Sequence, residues 1–94
     1  MDSTTHQRSE VYYTGHVQGV GFRYTTQQIA QNFAVTGFVQ NLADGRVLLV
    51  VEAEVTEAKR FLAEIERKLG EYIRDVRVAK LASSGGFNRF SIRH

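Results

Sequence analysis

Ninety-four residues, 43% hydrophobic, 23% charged and 11% aromatic, describe one small globular domain and exclude a disordered chain. No cysteine is present, which removes disulfides and thiolate zinc sites, and no apolar stretch approaches the ~20 residues of a membrane span. The net charge of +2 is spread from Arg8 to Arg93 without a basic run, so small anionic ligands fit it as well as RNA does.

The opening MDSTTHQRSE is too polar for a signal peptide. A flexible tail over residues 1–9, a single domain over 10–94 and a cytoplasmic location are expected. Glu10 to Val17 then alternate, with Val11, Tyr13, Gly15 and Val17 on one side and Tyr12, Thr14 and His16 on the other, which predicts a strand. From Phe22 the period changes: Phe22, Thr26, Ile29, Ala30 and Phe33 fall on one stripe of a helix of about three turns, ending before Thr36-Gly37.

Two strands follow, Phe38 to Leu42 and Arg46 to Glu52, around Ala43-Asp44-Gly45. The Asp-Gly pair is expected to supply the positive φ angles of a tight hairpin. Ala58, Phe61, Leu62, Ile65 and Leu69 recur at helical spacing, with Thr56 as the expected N-cap and Gly70 as the expected C-cap. Val76 to Leu81 alternate again. After Ser83-Ser84-Gly85-Gly86, Phe90 and Ile92 predict a short last strand. The order is βαββαβ plus a terminal β. Each helix has one apolar stripe, so both pack on one face of an antiparallel-rich sheet and leave the other face partly wet: an α+β ferredoxin-like sandwich.

The stretch Gly15-His16-Val17-Gln18-Gly19-Val20-Gly21-Phe22-Arg23 runs from a strand through glycines into a helix start. Such a loop reads either as a simple bend or as a nest of converging N–H groups that binds an anion. Arg23 bears on the choice, because a cation at a helix N-terminus is unfavourable by roughly 0.3–1 kcal/mol. A phosphate bound there would reverse that term; otherwise Arg23 is a solvated surface arginine. Asn41 stands in a strand, where asparagine is depleted, or simply satisfies local turn backbone. His16 lies on the polar side of the first strand and reads as a solvated side chain or a base; His6 and His94 lie near the chain ends. Glu52, Glu54 and Glu57 lack His or Asp neighbours at metal-ligand spacing, so no metal is expected.

The same nine residues, followed by Gly37-Phe38-Val39-Gln40-Asn41 and Asp44-Gly45-Arg46-Val47, closely resemble the two signatures of the acylphosphatase family. The resemblance runs from about Val11 to the Phe90-Ser91-Ile92-Arg93 ending. It implies the βαββαβ sandwich and hydrolysis of the carboxyl–phosphate bond of acyl phosphates, without metal or cofactor. Carried over by position, Arg23 grips the phosphoryl group together with loop N–H groups of Gln18, Gly19, Val20, Gly21 and Phe22, and Asn41 holds the attacking water. One departure is Ala53, where the family usually has a glycine after the third strand; this puts a local backbone bend in doubt. The partners implied are acyl phosphates and inorganic phosphate, with a monomeric chain and neither nucleic acid nor membrane.

Two rival readings are an RNA-binding module of the same topology and a non-catalytic phosphate sensor. The first is disfavoured because Arg46 to Val51 carries no aromatic residue on which bases stack. Turnover of benzoyl phosphate separates the second from an enzyme.

Overall fold

The computed structural model of the chain describes residues 6–94. Its elements are β1 (His6–Gly15), α1 (Phe22–Ala30), β2 (Thr36–Asn41), β3 (Val47–Glu54), α2 (Val55–Leu69), β4 (Ile73–Ala82) and β5 (Phe90–Arg93), with a short 3-10 turn at Gly70–Tyr72. The five strands lie in the order β4-β1-β3-β2-β5. Every pairing is antiparallel except β2 with β5. This is the expected ferredoxin-like sandwich, with β5 added outside β2.

Alternation along the strands decides which side chains meet the helices. Val11 and Tyr13 of β1, Val39 of β2 and Val47, Leu49 and Val51 of β3 all join one buried cluster with Phe22, Ile29, Phe61 and Ile65 of the two helices. Phe61 and Ile65 are fully buried, and each contributes roughly 1.5–3 kcal/mol by leaving water. The Phe61 ring packs 5.8 Å from Phe33 and 5.6 Å from Phe90, so the last strand is fastened to the core of α2.

Five local expectations are corrected. Strand β1 runs from His6, so residues 6–9 of the expected tail are paired to β3 and residues 7–9 to β4 as well; residues 1–5 of that tail lie outside the described residues. The polar HQRS stretch hides this, because Ser9 occupies a buried position that a hydrophobic alternation would have marked. Helix α1 is nine residues long rather than three turns, and Phe33 lies beyond it in the turn to β2. The N-cap position of α2 is Glu54, without a side-chain cap bond, and Thr56 is already inside the helix. Strand β3 passes straight into α2, so no capping residue intervenes. In the hairpin only Gly45 has a positive φ, +95°, while Asp44 does not. Leu42 N–H donates to the Arg46 carbonyl at 2.8 Å across a three-residue loop, which asks for a left-handed glycine at its last position alone. Asp44 instead accepts from the Arg46 N–H and Nε, and these bonds hold its carboxyl below the usual carboxylate range. Finally, Ala53 lies within β3 rather than after it, in register with Gln7 and buried in the core, so its strand runs without a bend.

The face of the sheet away from the helices is half covered. Phe38, Val50 and Glu52 are buried there; the 83–89 segment covers Phe38, 5.9 Å from the Phe87 ring, and Glu52, which accepts from Ser83, Ser84 and Gly85. Tyr12 and Leu48 on the same face are half-exposed. The Arg46 guanidinium lies 4.7 Å over the Tyr12 ring, and that of Arg93 lies 3.6 Å over Phe38. No helix among the described residues is long and apolar enough to cross a membrane.

Candidate active site

Topology brings three strand ends together. β1 and β2 are each antiparallel to β3, hence parallel to one another, and β5 is parallel to β2. The carboxyl ends of β1, β2 and β5 therefore share one edge of the sandwich. That edge carries the 16–21 loop, Asn41 as the last residue of β2, and the Arg93-His94 end of the chain. Carboxyl ends of parallel strands are common ligand positions in layered α/β structures.

The loop is fixed at both ends and free between them. Val17 and Phe22 are buried, with the Phe22 ring 5.1 Å from Tyr13. Gln18 Nε2 donates to the Leu42 carbonyl at 2.8 Å and to the Arg46 carbonyl at 3.0 Å, which ties the loop to the hairpin that follows Asn41. Gly19 and Gly21 have φ of +82° and +78°. A Cβ at either position would meet nothing within 4 Å, so glycine is required there by backbone conformation and not by lack of space.

Gly21 is the N-cap of α1 and offers no side-chain cap, and the first turn has no acidic residue. The first bond along the helix runs from Thr25 N–H to the Gly21 carbonyl at 2.9 Å. The N–H groups of Phe22, Arg23 and Tyr24 precede it and have no intrahelical carbonyl to reach. A positive helix end thus faces the pocket with nothing from its own first turn to neutralise it.

The pocket at this edge has a volume of about 200 Å³. Gly19, Gly21, Phe22, Arg23 and Asn41 line it, so the structure brings together five of the seven residues singled out in the sequence. Gln18 and Val20 do not line it; Gln18 is spent on the hairpin and Val20 packs against the core. His16 is exposed, lies outside the lining and uses its N–H on the Tyr72 carbonyl. Arg23 enters none of the ion pairs among the described residues. Its Nη1 lies 3.4 Å from both the Arg93 carbonyl and His94 Nδ1. Asn41 Oδ1 is buried and has no hydrogen-bond partner. A carbonyl left in that state costs about 1–3 kcal/mol unless a donor reaches it.

Tyr24, Ile92 and His94 also line the pocket and were not singled out. Tyr24 is adjacent to Arg23 in sequence and could have been found by that. Ile92 and His94 arrive from the far end of the chain, where no local pattern points to the loop. Among the described residues no group of three His, Asp or Glu side chains is placed to hold a metal.

The acylphosphatase family model matches residues 9–92. The acylphosphatase of Oceanobacillus iheyensis is 38% identical over 87 residues, covering 90% of this chain and 96% of that protein. That of Lactobacillus gasseri is 38% identical over 84% of this chain and 89% of its own. The crystal structure of acylphosphatase from Bacillus subtilis superimposes with a TM-score of 0.85 at 31% identity, over 94% of this chain and 99% of that one. With the fold, both signatures and nearly the full length in agreement, the chain belongs to the acylphosphatase family and is a hydrolase of acyl phosphates.

Proposed function

We propose that Arg23 and the N–H groups of residues 18–22 bind the phosphoryl group of an acyl phosphate while Asn41 orients the water that attacks it. The observation that carries this reading is that Arg23 and Asn41 line one pocket and that the Asn41 Oδ1 is buried without a partner. An amide oxygen accepts hydrogen bonds and cannot serve as a base at neutral pH, so its use there is to hold a donor such as water.

The chemistry asks for little else. Water oxygen attacks phosphorus, the bond from phosphorus to the acyl oxygen breaks, and the carboxylate leaves with the electron pair, already stable as an anion. No general acid is required. The proton of the attacking water passes to a phosphoryl oxygen of the substrate. What remains for the protein is to position water and neutralise charge on the phosphoryl oxygens. A preorganised donor of this sort is worth about 2.7–4 kcal/mol in the transition state. The reading carries no metal or cofactor, a monomeric chain in the cytoplasm, and neither nucleic acid nor membrane as partner. The guanidinium groups over Tyr12 and Phe38 support the last point by occupying ring faces on which a base would stack.

Benzoyl phosphate hydrolysis tests the assignment. Activity should be unchanged by excess EDTA, and Asn41→Ala should lose about a hundredfold in kcat. Because Asn41 meets water and not phosphate, inorganic phosphate should still raise the melting temperature of Asn41→Ala. Activity abolished by EDTA and restored by magnesium or zinc, or a folded Asn41→Ala with normal turnover, overturns it.

A further inference from the structure

A phosphoryl group held at Arg23 would fill only part of a pocket of about 200 Å³, leaving the acyl group to meet the rest of its lining. Of the large hydrophobic residues on the surface, Tyr24 is the most exposed at 63%, and it is the one that lines this pocket; Val78 and Leu81 stand on β4. Ile92 also lines the pocket and adds apolar surface to it. A bare aromatic ring beside the cation that binds the phosphoryl group is poorly placed for stability, since it buries little. It is well placed to stack on a flat, apolar acyl substituent.

We infer that Tyr24 is a specificity residue of this site, selecting acyl phosphates whose acyl group is aromatic or otherwise planar and apolar over those with a short aliphatic one. This rests on the proposed placement of the phosphoryl group at Arg23. Stacking acts on a part of the substrate remote from the bond that breaks, and is equally available in the ground and transition states. It therefore acts through KM rather than kcat. The ring, not the hydroxyl, is the part that matters.

The test compares kcat/KM for benzoyl phosphate and acetyl phosphate in wild type, Tyr24→Ala and Tyr24→Phe, with Arg23→Ala as the control for the site. In Tyr24→Ala the benzoyl-to-acetyl ratio should fall about fivefold, through KM for benzoyl phosphate, and Tyr24→Phe should keep the wild-type ratio. A ratio unchanged in Tyr24→Ala, or lost equally in Tyr24→Phe, overturns the assignment of the ring while an inactive Arg23→Ala leaves the site itself standing. If Arg23→Ala hydrolyses acetyl phosphate normally, the phosphoryl placement is wrong and the inference about Tyr24 goes with it.

Discussion

The loop at residues 16–21 and the loop at 83–86 are made of similar parts, and they treat negative charge in opposite ways. Each is built from glycines with small or polar neighbours and lies near an arginine. In the second loop the anion comes from the protein: Glu52 accepts from Ser83 Oγ at 3.0 Å, from Ser84 N–H at 2.9 Å, from Gly85 N–H at 2.9 Å and from Ser84 Oγ. Arg8 adds a contact at 3.8 Å. Burial alone would push the Glu52 carboxyl up, but these bonds hold it down at about 2. In the first loop no side chain among the described residues plays that part: α1 has no acid in its first turn, Gly21 offers no cap, and Arg23 has no carboxylate partner. A cradle filled from within is a fastening for the fold. One left open at a charge cost of its own making is suited to a ligand.

Removing the cation from the open loop should have the largest effect. Arg23→Ala deletes the planar fork proposed to meet the phosphoryl oxygens before and during the reaction, and kcat/KM for benzoyl phosphate should fall about a thousandfold. Phosphate at 100 times its dissociation constant stabilises a protein by about 2.7 kcal/mol, and this protection should disappear in Arg23→Ala when read by thermal shift. The fold itself should be intact, because among the described residues the Arg23 side chain makes only two long hydrogen bonds, to Arg93 and His94. Wild-type phosphate affinity in the folded variant would remove the distinction between the two loops.

Emptying the filled loop should damage stability and not chemistry. The folded carboxyl of Glu52 titrates at about 2 against an ordinary 4.5. Its contribution is therefore fully present above 4.5 and is lost as pH falls through about 2. A gap of about two and a half pH units at about 1.4 kcal/mol each makes that contribution about 3 kcal/mol. Glu52→Gln keeps the size, removes the charge and turns an NH₂ group toward donors. Urea unfolding near neutral pH should show a loss of about 3 kcal/mol, and the acid limb of the stability curve should flatten. An acid limb in Glu52→Gln as steep as that of wild type would show that the carboxylate does not fasten the loop.

How much of this was legible in the sequence follows from distance along the chain. The stripes of Phe61 and Ile65 on α2, and of Val47, Leu49 and Val51 on β3, are periodic within a few residues, and they specify the layers without help. The glycines and Arg23 are contiguous, so one half of the site could be read directly, and Asn41 came in through the second signature. Glu52 looked only like a carboxylate without metal-ligand neighbours, because the groups that receive it lie 31 to 33 residues further on. The side-chain bonds of Gln18 span 24 and 28 residues, so the sequence points to its loop N–H and not to its amide. The start of β1 is hidden for a different reason: residues 6–9 are polar, and only their pairing, to β3 throughout and to β4 from Gln7, makes them strand.

The smallest effect expected is also the one that tests whether the open loop is held rigid. A ligand cradle made of left-handed glycines has no side chains of its own to stiffen it, and Gly19 and Gly21 contribute no packing. Rigidity must come from the flanks, where Val17 and Phe22 are buried and the Gln18 amide spans the hairpin carbonyls of Leu42 and Arg46. That amide sets the distance between the proposed phosphoryl-binding loop and Asn41, one residue before Leu42. In Gln18→Ala water can replace both bonds to the carbonyls, so stability should change by only about 1 kcal/mol. Alignment of water with phosphorus is more demanding, since a misplacement of about 1 Å can cost a hundredfold in rate. We expect kcat for benzoyl phosphate to fall about tenfold with phosphate protection largely kept, because Arg23 and the N–H groups remain. Steady-state kinetics together with thermal shift separate the outcomes: a kcat within about twofold of wild type would show that Val17 and Phe22 alone fix the loop.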